Sequence, residues 1–145
     1  MLCESILRLY RRLRLDGYRK LFGAVREREG SLSAIEAFSA DLIYLLGNPT
    51  LSQFAAYAGI SQPNASYKVN ALAAKGYVEK FVPSADRREV RLRTGKKFAA
   101  YFDEDRPALA AAAEKVRAQF SDEEIETARR VLDAMFAAMQ EQKEE

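Results

Sequence analysis

Histidine is absent from this 145-residue sequence, and cysteine occurs once, as Cys3. With so few nitrogen and sulfur ligands, a conventional zinc or haem site is not expected, and a single thiol rules out an intramolecular disulfide. Proline and glycine are sparse, with 4 and 7 copies and no tract of either. No run approaches the roughly 20 apolar residues of a membrane span. The first residues carry arginines where a signal peptide would need its apolar core. No nucleophile-and-base pairing, metal-ligand cluster or glycine-rich phosphate loop points to an enzyme. The expectation is one domain-sized cytoplasmic protein with no cofactor, no catalytic residues and no membrane partner.

Charge is plentiful but unevenly spread. The net value of +2 divides into +4 over residues 1–30, −2 over 31–59, +6 over 60–97 and −6 over 98–145. A charge run is usually only a solvated face. Here the most basic segment coincides with a sequence pattern that has a use for positive charge.

That pattern begins at Ser61, a helix-capping residue, followed by Pro63 in the first helical turn. Ala65, Val69, Leu72 and Ala73 form an apolar stripe at helical spacing. Gln62, Asn64, Ser66, Tyr67, Lys68 and Asn70 occupy the other faces, and Gly76 stops the helix. Two alternating runs, 77–82 and 89–93, are joined by Pro83-Ser84-Ala85-Asp86-Arg87-Arg88 and read as a β-hairpin with a basic tip. Upstream, Thr50 and Gln53 form a capping box that opens a short helix through Tyr57. Ala58-Gly59-Ile60 turns the chain into Ser61. A short helix, a glycine turn, a polar-faced helix and a basic hairpin together make a winged helix-turn-helix, a DNA-binding element.

The ends are helical. Ile6, Leu9, Leu13, Gly17, Leu21 and Val25 mark one long helix over 2–27. Ser33 and Glu36 start a second through Leu46, which Gly47-Asn48-Pro49 stops. After the hairpin, a helix begins at Thr94 or Gly95 and is kinked or divided at Pro107. Ser121 and Glu124 launch a last helix with Ile125, Ala128, Leu132, Met135, Phe136 and Met139 on one side. The fold class is therefore mainly α with a small β-hairpin wing. Residues 31–97 form the winged helix-turn-helix, and 1–30 with 98–145 form a helical dimerisation region. The terminal stripes either pack within the chain or pack with those of a second copy. The second reading is preferred, because it sets two reading helices about 34–36 Å apart, one DNA turn.

This order of parts resembles the MarR family of transcription regulators. The likeness is carried by Leu51-Ser52-Gln53-Phe54-Ala55, by Ile60-Ser61 through Val69 and Leu72, by Lys75-Gly76-Tyr77-Val78, and by Asp86-Arg87-Arg88 before Val90 and Leu92. The family usually closes its wing with a leucine-threonine pair and a glycine about three residues later. Leu92-Arg93-Thr94-Gly95 is shifted from that pattern, which leaves the exit of the wing open. The resemblance implies a homodimer on a pseudo-palindromic operator in double-stranded DNA, commonly a repressor released by a small aromatic or anionic effector. It also implies that Arg88 enters the minor groove, with Asp86 holding its guanidinium and Arg87 on phosphate.

In the reading helix Ser61, Gln62, Asn64, Ser66, Tyr67 and Lys68 are the candidates for base edges and phosphates, and Ser52 is a phosphate donor or a capping residue. Tyr10, Arg14, Phe22, Phe38, Tyr44 and Tyr101 are the candidates for an effector pocket, although aromatics at helical spacing more often form core. Some members of this family sense oxidants through a cysteine near the start of the first helix, but Cys3 is so close to the terminus that an inert thiol is the simpler expectation. The competing function is a winged-helix protein–protein interaction module. It has no need of a +6 segment.

Overall fold

The computed structural model describes residues 1–24, 31–83, 89–102 and 105–141. The helix starts written into the sequence appear as reciprocal hydrogen bonds. At Ala34–Leu45 (α2, after α1 at Leu2–Ala24), the Ser33 Oγ accepts from the Glu36 N–H and the Glu36 carboxylate accepts from the Ser33 N–H. Thr50 and Gln53 repeat the device at Leu51–Ala58 (α3). Each box satisfies two backbone donors that a helix terminus would otherwise leave orphaned.

At the end of α3, Gly59 takes a left-handed conformation with φ 65°, and the Ile60 N–H donates to the Ala55 carbonyl. A side chain bearing Cβ adopts that conformation only at a cost. The turn leads into Gln62–Ala74 (α4), whose N-cap Ser61 accepts from the Asn64 N–H. Ala65, Val69 and Leu72 of α4 are buried against Ile43 of α2 and Phe54 of α3, with Leu32, Val78, Leu92 and Phe98 in the same core.

The wing is narrower than its alternating pattern suggests. Its strands are Val78–Phe81 (β1) and Arg91–Thr94 (β2), paired antiparallel with Val78 opposite Thr94 and Phe81 opposite Arg91. The second strand begins two residues later than expected, and its other edge is held by the chain before α3. The Leu92 N–H donates to the Pro49 carbonyl at 2.8 Å, and Thr50 bridges Arg91. Buried Leu92 then fixes the register, since a slip of one residue would turn it to solvent.

The exit of the wing rests on a contact between two glycines. A Cβ at Gly95 would stand 2.6 Å from the Gly76 carbonyl oxygen, and the Gly95 N–H donates to the Tyr77 carbonyl at 2.8 Å. The backbone of Gly95 is therefore committed to the β1 side, and the next helix starts only at Lys96 (Lys96–Phe102, α5). The shifted glycine thus has a structural task of its own.

The chain divides into two compact units, residues 1–104 and 105–145. In the second, Asp105–Arg117 (α6) carries Pro107 in its first turn, where a missing N–H is tolerated. Asp122–Glu141 (α7) opens on the Ser121–Glu124 box and buries no residue. No described helix is long and apolar enough to cross a membrane.

Candidate nucleic-acid interface

Helix α4 has one buried line and one exposed line. Ala65, Val69 and Leu72 point into the core, and Pro63, Tyr67, Asn70 and Ala74 are exposed on the other side at the three- and four-residue spacing of a single helix face. Tyr67 is 76% exposed, an unusual position for a tyrosine ring unless something covers it. Ser66 is half-buried on one flank, and Asn64 is exposed on the other.

The polar residues at the start of α4 are already engaged. Ser61 spends its hydroxyl oxygen on the cap. The Gln62 Nε2 donates to the Ser52 Oγ at 2.6 Å, tying the first turn of α4 to the first turn of α3. Thr50, not Ser52, caps α3. Because the Ser52 oxygen accepts from Gln62, its own O–H is left to donate elsewhere, the arrangement a phosphate contact requires. Lys68 lies off the exposed line and helps line an apolar cleft of about 380 Å³ with Ile35, Phe38, Leu42, Phe54 and Ile60.

Ion pairs sort the basic residues of this segment. The Lys75 Nζ reaches the Glu36 carboxylate at 2.8 Å and the Ser31 carbonyl at 3.0 Å, clamping the end of α4 to the start of α2. Burial alone would push the Glu36 carboxyl up. The hydrogen bonds from Lys75 and from the Ser33 N–H, with the charge of Lys75, outweigh it and hold the group below its ordinary value. Arg91 pairs with Glu89 and Arg93 with Glu79. Lys80 of β1 instead donates to the neutral Asn70 amide oxygen at 2.8 Å. Neither Lys80 nor Asn70 stands out in the sequence as a site residue, because only the folded hairpin brings them together. Asp86, Arg87 and Arg88 lie outside the described residues.

The residues singled out for an effector pocket fall at several places in the described structure. Tyr10 and Arg14 are on an exposed face of α1, where the Arg14 guanidinium sits over the Tyr10 and Tyr18 rings and donates to the Tyr18 hydroxyl. Phe22 is exposed further along α1. Phe38 lines the cleft beside Lys68, and the Tyr44 ring packs on Phe98 at 5.3 Å. The side chain of Tyr101 lies outside the described residues. Cys3 is exposed.

Residues 42–89, spanning the helix-turn-helix and the first strand of the wing, match the model of the MarR family. No curated protein matches the sequence. Among solved structures, FabT of Streptococcus pneumoniae in complex with DNA is 23% identical, with a TM-score of 0.50 over 94% of this chain and 98% of that one. The transcriptional regulator Tm0710 of Thermotoga maritima is 16% identical, with a TM-score of 0.53 over 98% and 99%. A point mutant of MepR from a multidrug-resistant S. aureus clinical isolate is 15% identical, with a TM-score of 0.55 over 92% and 96%. The likeness to the MarR family read from the sequence therefore holds for the winged-helix segment, and the fold of nearly the whole chain is that of these regulators.

Proposed function

We propose that this chain, whose winged-helix segment matches the MarR family, is a homodimeric cytoplasmic transcription regulator that binds double-stranded DNA and represses from a pseudo-palindromic operator. The observation that carries the reading is the exposed line of α4, with Tyr67 at its crest and the Ser52–Gln62 pair at its start. It lies in the most basic segment of the chain, residues 60–97 with a net +6. A polar helix face flanked by phosphate donors is what major-groove reading needs. The DNA in the FabT structure supports the same reading. Gln62 and Ser52 position the helix on phosphate, Asn64, Ser66 and Tyr67 face the bases, and Asp86, Arg87 and Arg88 form the wing tip.

The terminal helices α1 and α7 supply the dimer contact, since their apolar residues Leu9, Leu13, Leu132 and Phe136 are exposed. The effector is an apolar anion. The cleft beside Phe38 offers hydrocarbon walls and one cation, Lys68, that belongs to the reading helix.

Selection of genomic fragments with the purified protein tests the reading. Enrichment of an inverted repeat with half-sites about one turn apart, weakened by Arg88→Ala, is the expected result. Failure to enrich any sequence, together with salt-independent behaviour toward duplex DNA, would leave a protein-docking winged helix in its place.

A further inference from the structure

The basic residues of the segment 60–97 are not equally available to a partner. Lys75, Arg91 and Arg93 are matched by Glu36, Glu89 and Glu79 within 3 Å. Lys80 differs in partner and in place. In β1 the side chains of Val78 and Lys80 share one face of the hairpin, two residues apart. Val78 enters the core, whereas Lys80, nearer the wing tip, is exposed. The core ends between them. Lys80 emerges beside α4 and donates an ammonium N–H to the side-chain oxygen of Asn70, a member of the exposed line that also carries Pro63 and Tyr67.

A neutral amide holds the ammonium group in position without cancelling its charge. The bond uses the Asn70 oxygen, and the two N–H donors of the amide take no part in it. The notch between the reading helix and the hairpin thus presents a held cation beside amide donors. We infer that the Lys80–Asn70 notch is a phosphodiester-binding site, with Lys80 contacting a backbone phosphate at the groove edge and Asn70 as its positioning residue. It is the counterpart, at the far end of α4, of the Ser52–Gln62 pair at its start. The inference rests on the DNA-binding reading and adds to it a fixed phosphate contact on the hairpin side, set by the fold.

The test uses the full chain, the enriched duplex and a scrambled duplex of equal length, with binding measured across a salt series from about 50 to 200 mM. Lys80→Gln keeps a donor, one bond nearer the backbone, but removes the charge. It is expected to lower the slope of log affinity against log salt by about one per reading unit, and to weaken both duplexes by a similar factor. Lys80→Arg is expected to keep the slope, and Asn70→Ala to keep the slope while lowering affinity less than Lys80→Gln does. Unchanged thermal melting would show that the variants fold. A Lys80→Gln slope equal to wild type, or a loss confined to the enriched sequence, would overturn the phosphate assignment while the DNA reading stood. Absence of any salt-dependent duplex binding by the wild type would overturn both.

Discussion

The winged-helix core and helix α7 use the same sequence device and end in opposite states. In the core, apolar residues at helical spacing are sealed, with Phe54, Val69 and Leu72 at most 1% exposed. In α7 an equally regular stripe leaves Phe136 66% and Met139 64% exposed, and no residue is buried. Periodicity reports that a helix has an apolar side. It does not report what lies against that side. Leu9 and Leu13 of α1 are exposed in the same way as the α7 stripe. Exposed apolar stripes of this regularity mark an interaction surface, and the proposed dimer gives them a use.

The comparison breaks most sharply with charge placed on the α7 stripe. Leu132→Asp with Phe136→Asp should abolish self-association, because burial of each side chain is worth about 1.5–3 kcal/mol and each dimer loses two sets. Sedimentation at several concentrations reads this directly, and a wild type that is monomeric throughout would remove the dimer. Phe54→Ala acts on the opposite region. It should cost about 3–5 kcal/mol in a denaturant melt, since the ring is only 1% exposed and its removal leaves a cavity. Phe136→Ala, in a protein held monomeric by dilution, should leave the same melt unchanged.

A smaller effect is expected at the wing exit. Gly95→Ala would place its methyl group against the Gly76 carbonyl, and overpacking of this kind costs about 1–3 kcal/mol. Gly17→Ala in α1, where nothing lies within 4 Å of an added Cβ, should be neutral or stabilising. Thermal melts of the two variants measured side by side sharpen the contrast between packed and open backbone.

The smallest and most specific effect is electrostatic. Glu36→Gln keeps the capping box but removes the ionic bond to Lys75 from a side chain only 17% exposed, and should cost about 1–3 kcal/mol at pH 7. The folded-state value of Glu36 is depressed, so its stabilisation is present above the ordinary 4.5 and fades as pH falls through the folded value. The difference between wild type and variant should therefore close in acid. Asp41 on the same helix has the opposite sign. Burial raises its carboxyl, so Asp41→Asn should stabilise slightly at pH 7 and make no difference below the ordinary 3.8. Glu126→Gln removes an exposed partner of Arg129 on α7 and should shift the melt by nothing measurable. A large shift there would mean that the α7 ion pairs are buried in the protein as it exists in solution.

Local chemistry was legible because it is short-range. The capping boxes at Ser33, Thr50 and Ser121 and the turn at Gly59 each depend on residues within a few positions of one another. The hairpin was legible as a hairpin, but its register was not, because Leu92 is placed by Pro49 and Thr50 some forty positions away. Separations of ten or more positions likewise hid the roles of Gly95 and Lys80. Lys68 and Lys80 both belong to the basic segment, yet one lines an apolar cleft under α2 and the other stands beside the exposed line of α4.

By itself, then, the sequence determined which segments are helical, where the capped helices begin, which side of each is apolar, and that positive charge gathers around the winged helix. These follow from backbone capping and side-chain period, which the chain carries locally. The tertiary structure alone decided which stripes are sealed, which cations keep their charge unmatched, and which glycine must remain a glycine. Those are questions of what stands within a few ångströms, and only folding brings distant residues that close.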